Sequence, residues 1–370
     1  MPVASGLSVQ DRIQEAIDEL VADGSEIGLQ VAVTRHGELV ADAVSGVADS
    51  ATGQAVTPET LFFAASAAKG VASSVAHVLA ERGELDYDLR LTDVWPEFGA
   101  RGKGATTVRH VLLHTAGVPG LPGSTTVSDL CRWDRMCSVI ADLEPWWEPG
   151  TRYGYHALTF GYLLGEAMRR RTGATISELL RTLITEPLGL AEQVYFGVAP
   201  LELPRVARQV PSAEGELPEP EPGSAGARAM PAAVRPDATL ANRVDVLTAD
   251  IPSMGTMTAR GAALMYAAVL GYSATPLISA ARLEQVAAVA IREIDQVTKL
   301  PAEWSLGFSA ARLGGTPSRP GSAFGMIGAN GSAAYADIDS GVTVAVLRNR
   351  FSPDYSAAAR VDRIVAGASS

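Results

Sequence analysis

Short, strand-like runs stand near both ends of this 370-residue chain, with a long, mostly helical block between them. That arrangement limits the folds open to the chain more than any other feature. Residues 27–34 and 38–44 are β-branched runs joined by Arg35-His36-Gly37, a hairpin signal. Near the other end, 304–313, 332–337 and 342–347 read as strands separated by Gly-rich turns. The expected fold is therefore α/β of the α+β type: one antiparallel sheet built from both chain ends and covered by helices, with a mostly helical subdomain over about residues 84–300. Helical spacing marks 10–23, where Ile13, Ala16, Ile17, Leu20 and Val21 precede Gly24. Helices are also expected over 70–81, 107–117, 129–143, 156–171, 176–188, 259–270, 280–291 and 356–366. Segment 201–240 is rich in Pro, Glu, Gly and Ala and lacks periodicity across 211–236, so it is expected to be a long surface loop or lid.

Within this frame, Ser66 and Lys69 form an S-x-x-K pair at the start of an Ala- and Val-rich helix. Residues three apart share a helical face, so ammonium and hydroxyl can meet. A helix start favours developing negative charge. Serine is a weak nucleophile until a base takes its proton, and lysine is such a base only when burial or a neighbouring cation depresses its pKa. Apolar residues at 61–68 and 71–75 would supply that burial. Of the 30 basic residues only Lys69, Lys103 and Lys299 are lysines; a chain that writes its cations as Arg has kept, at 69, one that can deprotonate near neutrality.

A net charge of -11 argues against nucleic acid or an anionic membrane surface as a partner. Residues 1–10 show no basic and apolar leader pattern, and no apolar run reaches the length of a membrane span, so a cytoplasmic protein is expected. Cys131 and Cys137 do not make a disulfide framework. His110 and His114 lie four apart without a following Glu or a third ligand, and they read as structural; neither metal nor cofactor is expected. No G-x-S-x-G elbow and no phosphate-binding loop occurs.

Four segments together resemble the serine β-lactamase and penicillin-binding-protein superfamily, in particular its class C-like esterase and transesterase branch. They are Ser66-Ala-Ala-Lys69; Thr107-Val-Arg-His-Val-Leu-Leu-His-Thr-Ala-Gly117; Glu148-Pro-Gly-Thr-Arg-Tyr-Gly-Tyr155; and Phe324-Gly-Met-Ile-Gly-Ala-Asn-Gly-Ser332 before a last strand. Their order along the chain implies one domain of this type over residues 1–370. The resemblance implies that Ser66 is acylated, that Lys69 shares its proton, and that Tyr155 acts with Lys69 as base and then as acid. It also implies an oxyanion hole from the N–H groups of Ser66 and Ala329. A tyrosinate at neutral pH needs a neighbouring cation, and Lys69 is the expected one.

Two departures narrow the substrate. Ala157 stands where the family often has Asn after its tyrosine, and Met326 stands where a Lys, His or Trp usually opens the third motif. Met326 cannot hold a carboxylate, which argues against β-lactams and stem peptides. With Gly328, Trp147, His156 and Met254, it is expected to line a site for a neutral, apolar group, although core packing also accounts for the methionines and tryptophans. Glu166 reads as a carboxylate on a helix surface. The leading expectation is an esterase-type serine hydrolase acting on a small, largely apolar ester, lactone or amide through an acyl-enzyme. The alternatives are a transacylase or cyclising acyltransferase in small-molecule biosynthesis using the same acyl donor chemistry, and a silent binding homologue.

Overall fold

The computed structural model describes residues 7–212, 217, 219–310 and 321–367. The first residues of the leader reading, 213–216 and 218 of the 201–240 segment, and 311–313 of the expected 304–313 strand lie outside the described residues. The two chain ends do build one sheet. Among the described residues nine antiparallel strands run in the order Gln54–Ala55, Glu38–Asp49, Gly28–Arg35, Val342–Arg348, Ala333–Asp337, Ala323–Ile327, Phe308–Ser309, Pro301–Ser305 and Ile291–Ile294. The seam between the chain ends pairs Leu29 with Arg348 through Arg35 with Val342.

Both faces of the central strands are buried, which explains their near-continuous apolar runs: every residue of Val342–Arg348 is buried. On one face Leu29, Val31, Val33, Val344 and Val346 pack with Ile13 and Ile17 of helix Val9–Ala22 and with Val361 and Val365 of helix Ser356–Gly367. The first of these helices is capped by Ser8, whose side chain accepts from the Asp11 N–H while Asp11 returns the bond. On the other face lie helices Ala259–Val269 and Ala68–Glu81, and beyond them the helical body of the molecule.

Some elements differ from the sequence expectation. The run expected as a helix over 280–291 is a helix only at Ala280–Ala287, and strand Ile291–Ile294 then begins an exposed sheet edge. The run from 304 is two short strands, because Leu306-Gly307 turns the chain back between Pro301–Ser305 and Phe308–Ser309. A second small sheet, Phe62–Ala65, Gly255–Met257 and Val194–Tyr195, was not expected at all. The 201–240 segment contains a strand at Val210–Pro211 paired with Arg350–Phe351 and a helix at Ala225–Ala229. Among the described residues no helix is long and apolar enough to cross a membrane.

Candidate active site

The small sheet delivers Ser66. Strand Phe62–Ala65 pairs with Gly255–Met257, and its register shifts between Phe63 and Ala65. There the chain turns sharply: Ala65 has φ +46° although it carries a Cβ. That conformation costs roughly 1–2 kcal/mol and persists only where the surroundings enforce it. Ala65 is 1% exposed and clamped between strand and helix. The helix itself begins at Ala68, with Ala67 as its N-cap, so Ser66 sits just ahead of the helix start rather than inside it. Residues Ala68 to Ala80 are all buried, which makes this helix a central strut of the core.

Lys69 is 0% exposed, and its Nζ is 2.9 Å from Ser66 Oγ and 3.4 Å from the Ser253 carbonyl. Burial pushes its pKa down to about 7, so near neutrality much of the lysine is a free amine able to accept a proton. Its Nζ also lies 5.1 Å from the centre of the Tyr155 ring. Burial holds the Tyr155 phenol well above its ordinary range, with the neighbouring Ser66 pulling the other way. The expectation of a tyrosinate beside a lysine cation is therefore corrected. Lys69 loses its proton before Tyr155, since desolvation penalises the charged form of both groups.

The turn after strand Ala323–Ile327 closes over the serine from the opposite side. A Cβ on Gly328 would lie 2.4 Å from the Ala64 carbonyl, so only glycine lets the two backbones approach this closely. Asn330 ties them together: its Nδ2 donates to the Phe63 carbonyl at 2.7 Å. Ala329 is part-exposed in this turn, and among the described residues neither its N–H nor that of Ser66 has an acceptor. Both donors are free for a third group.

The other expected site residues divide by exposure. Trp147 is half-buried, its Nε1 donating to the Thr115 carbonyl at 3.3 Å and its ring packed on Gly154. Met254 and Met326 are each 3% exposed, and Met326 packs on the Ser66 helix at Gly70. His156 is 1% exposed. Its Nδ1 donates to the Gly154 carbonyl at 2.6 Å and its Nε2 accepts from the Val118 N–H at 3.1 Å. Burial pushes its pKa down to about 4. These three side chains are thus nearly enclosed, and the His156 ring spends both its nitrogens on hydrogen bonds inside the protein.

Sequence reasoning missed several supports. The Asp295 carboxylate accepts from the Tyr155 N–H at 3.2 Å and from the Val297 N–H at 2.7 Å, anchoring the tyrosine segment. Ser253 and Asn330 act across long sequence separations; Asn330 lies in the Gly-rich motif 324–332, but nothing local marked its role. Glu166 is not on the surface: its side chain is 0% exposed and receives Trp133 Nε1, Arg169 and Arg170. His110 accepts from the Thr107 N–H at 3.3 Å, and His114 is 0% exposed with its ring stacked 4.8 Å from Phe160.

The comparisons with known proteins agree with this fold. The Beta-lactamase family model matches residues 13–368. The esterase/beta-lactamase LipL of Mycobacterium tuberculosis is 31% identical over 346 residues, covering 87% of this chain and 77% of that protein. The crystal structure of a family VIII carboxylesterase superposes with a TM-score of 0.87 at 29% identity, covering 97% of each chain. A penicillin-binding protein homologue from Caulobacter crescentus gives 0.86 at 32% identity, covering 98% of each. On the extent of these matches, and with the S-x-x-K pair and its tyrosine brought together in one site, the chain belongs to the β-lactamase family.

Proposed function

We propose that this protein is an esterase-type serine hydrolase, a carboxylesterase that cleaves small, largely apolar esters through a Ser66 acyl-enzyme. The observation that carries the reading is the 2.9 Å contact between Ser66 Oγ and the buried Lys69 amine. The names of the relatives, an esterase and a carboxylesterase, support the same class.

In the proposed cycle, the Lys69 amine takes the Ser66 proton as Oγ attacks the ester carbonyl. The N–H groups of Ser66 and Ala329 receive the oxyanion, which supplies a large share of the barrier reduction. Tyr155 passes the proton to the departing alkoxide. Water then attacks the acyl-enzyme, with the same pair working in reverse. No cofactor or metal takes part in these steps. The segment 201–240 is assigned the role of a wall or lid: the Arg228 guanidinium stacks 4.2 Å from the Trp146 ring, and the Arg228 carbonyl accepts from the Leu121 N–H at 3.3 Å. The cytoplasm is the proposed compartment, since the two cysteines are free.

The substrate reading rests on Met326, which offers dispersion and no charge. Leaving a substrate carboxylate unpaired costs about 3 kcal/mol or more, on the order of 10²-fold. Side-by-side hydrolysis of p-nitrophenyl butyrate and nitrocefin should favour the ester by at least that factor in kcat/KM. Nitrocefin turnover equal to ester turnover would overturn the neutral-substrate reading.

A further inference from the structure

The turn that carries Ala329 is held by a residue from the far end of the chain. Tyr355, just ahead of helix Ser356–Gly367, donates its hydroxyl to the Gly328 carbonyl at 3.1 Å. The Gly328 C=O and the Ala329 N–H belong to one planar peptide group. A donor on that oxygen therefore fixes the plane of the N–H and polarises it, since hydrogen bonds in a chain strengthen one another. The Gly331 N–H donates to the same oxygen at 3.0 Å, so both acceptor positions of this carbonyl are engaged.

Tyr355 is itself fixed from behind. The Arg348 guanidinium, 1% exposed, donates to the carbonyl of Asp354 and pairs with Glu26, 2% exposed, at 3.0 Å. Burial pushes the Tyr355 phenol up to about 12, so it remains a donor throughout the neutral range.

We propose that Tyr355 is a positioning residue for the oxyanion hole, acting through the Gly328–Ala329 peptide, with the Glu26–Arg348 pair as its anchor. The inference rests on the assignment of Ser66 as nucleophile and Ala329 as oxyanion donor. An oxyanion forms in the transition state and not in the bound ester, so loss of the Tyr355 hydroxyl lowers kcat and leaves KM nearly unchanged.

The test is Tyr355→Phe, which keeps the ring and removes the donor. Three quantities are measured: kcat and KM for p-nitrophenyl butyrate, inhibition by an aryl trifluoromethyl ketone, whose serine adduct carries an oxyanion, and the melting temperature. The expected result is a fall of about 3–20-fold in kcat, the scale of one hydrogen bond, with an equal loss of ketone affinity and an unmoved KM. Unchanged kcat and ketone affinity would overturn the inference, as would a loss confined to KM. The mass of a fluorophosphonate adduct, mapped in parallel, separates the two levels. A label on Ser66 keeps the site assignment whatever Tyr355→Phe does, and a label elsewhere overturns both.

Discussion

Gly70→Ala is the most informative single change in the packing around the nucleophile. Gly70 follows Lys69 in the helix Ala68–Glu81, where alanine would ordinarily gain about 1 kcal/mol. Here the new Cβ would lie 2.1 Å from the Tyr266 hydroxyl oxygen, 3.3 Å from its ring carbon Cζ and 3.4 Å from Met326 Cγ. Tyr266 is 1% exposed and flanked by Phe308 and Phe324, each ring 6.1 Å away, so it has little room to retreat. Overpacking of this kind costs about 1–3 kcal/mol before the propensity gain is subtracted. The net effect should be a loss of stability of up to about 2 kcal/mol, with a fall in activity as Lys69 is pushed from Ser66. Tyr266→Phe should reverse it. The Tyr266 hydroxyl is buried with no hydrogen-bond partner among the described residues, so its removal alone is neutral or stabilising. It also deletes the atom that meets the Cβ. Urea denaturation of the wild type, both single variants and the double variant gives the coupling energy, expected at about 1–3 kcal/mol in favour of the double. Additive effects, or a Gly70→Ala variant more stable than wild type, would refute the packing argument.

The remaining predictions concern the proton-handling pair. With Lys69 at about 7, kcat/KM for a neutral ester should rise with pH on a limb centred near 7. The free amine is the base and accumulates above its pKa. Tyr155 lies above its ordinary range, so it adds no falling limb below about pH 10. A rate that falls as pH rises through 7 would contradict the assignment. Lys69→Ala and Tyr155→Phe should each reduce kcat by about 10²–10⁴, and the double variant should be little worse than the poorer single. Fully multiplicative losses, read from steady-state rates, would show two independent groups.

How far the sequence reached follows from which interactions are local. The sheet seam was legible because the hairpin at one end and the strand group at the other each needed a further partner, and the block between them reads as mostly helical. Strand Ile291–Ile294 was hidden because its mostly exposed residues show neither alternation nor an apolar run, and the preceding helix reads straight into it. Strands as short as Val194–Tyr195 and Gly255–Met257 are too brief for periodicity to mark. In the site, Ser66 and Lys69 were visible through their spacing, and Tyr155 through its resemblance. The roles of Asp295, Asn330 and Tyr355 were not, because each acts on a backbone group 27 to 267 positions away. His156 stands beside Tyr155 in sequence, but its ring nitrogens are engaged by Gly154 and Val118, partners no local pattern marked.

The account stands on Ser66 as the atom that becomes acylated. Intact-protein mass spectrometry after exposure to a fluorophosphonate and to p-nitrophenyl butyrate, followed by peptide mapping, tests it directly. The predicted result is one adduct per chain, located on Ser66 and absent from Ser66→Ala. An adduct that maps to another residue, or that survives in Ser66→Ala, would contradict it.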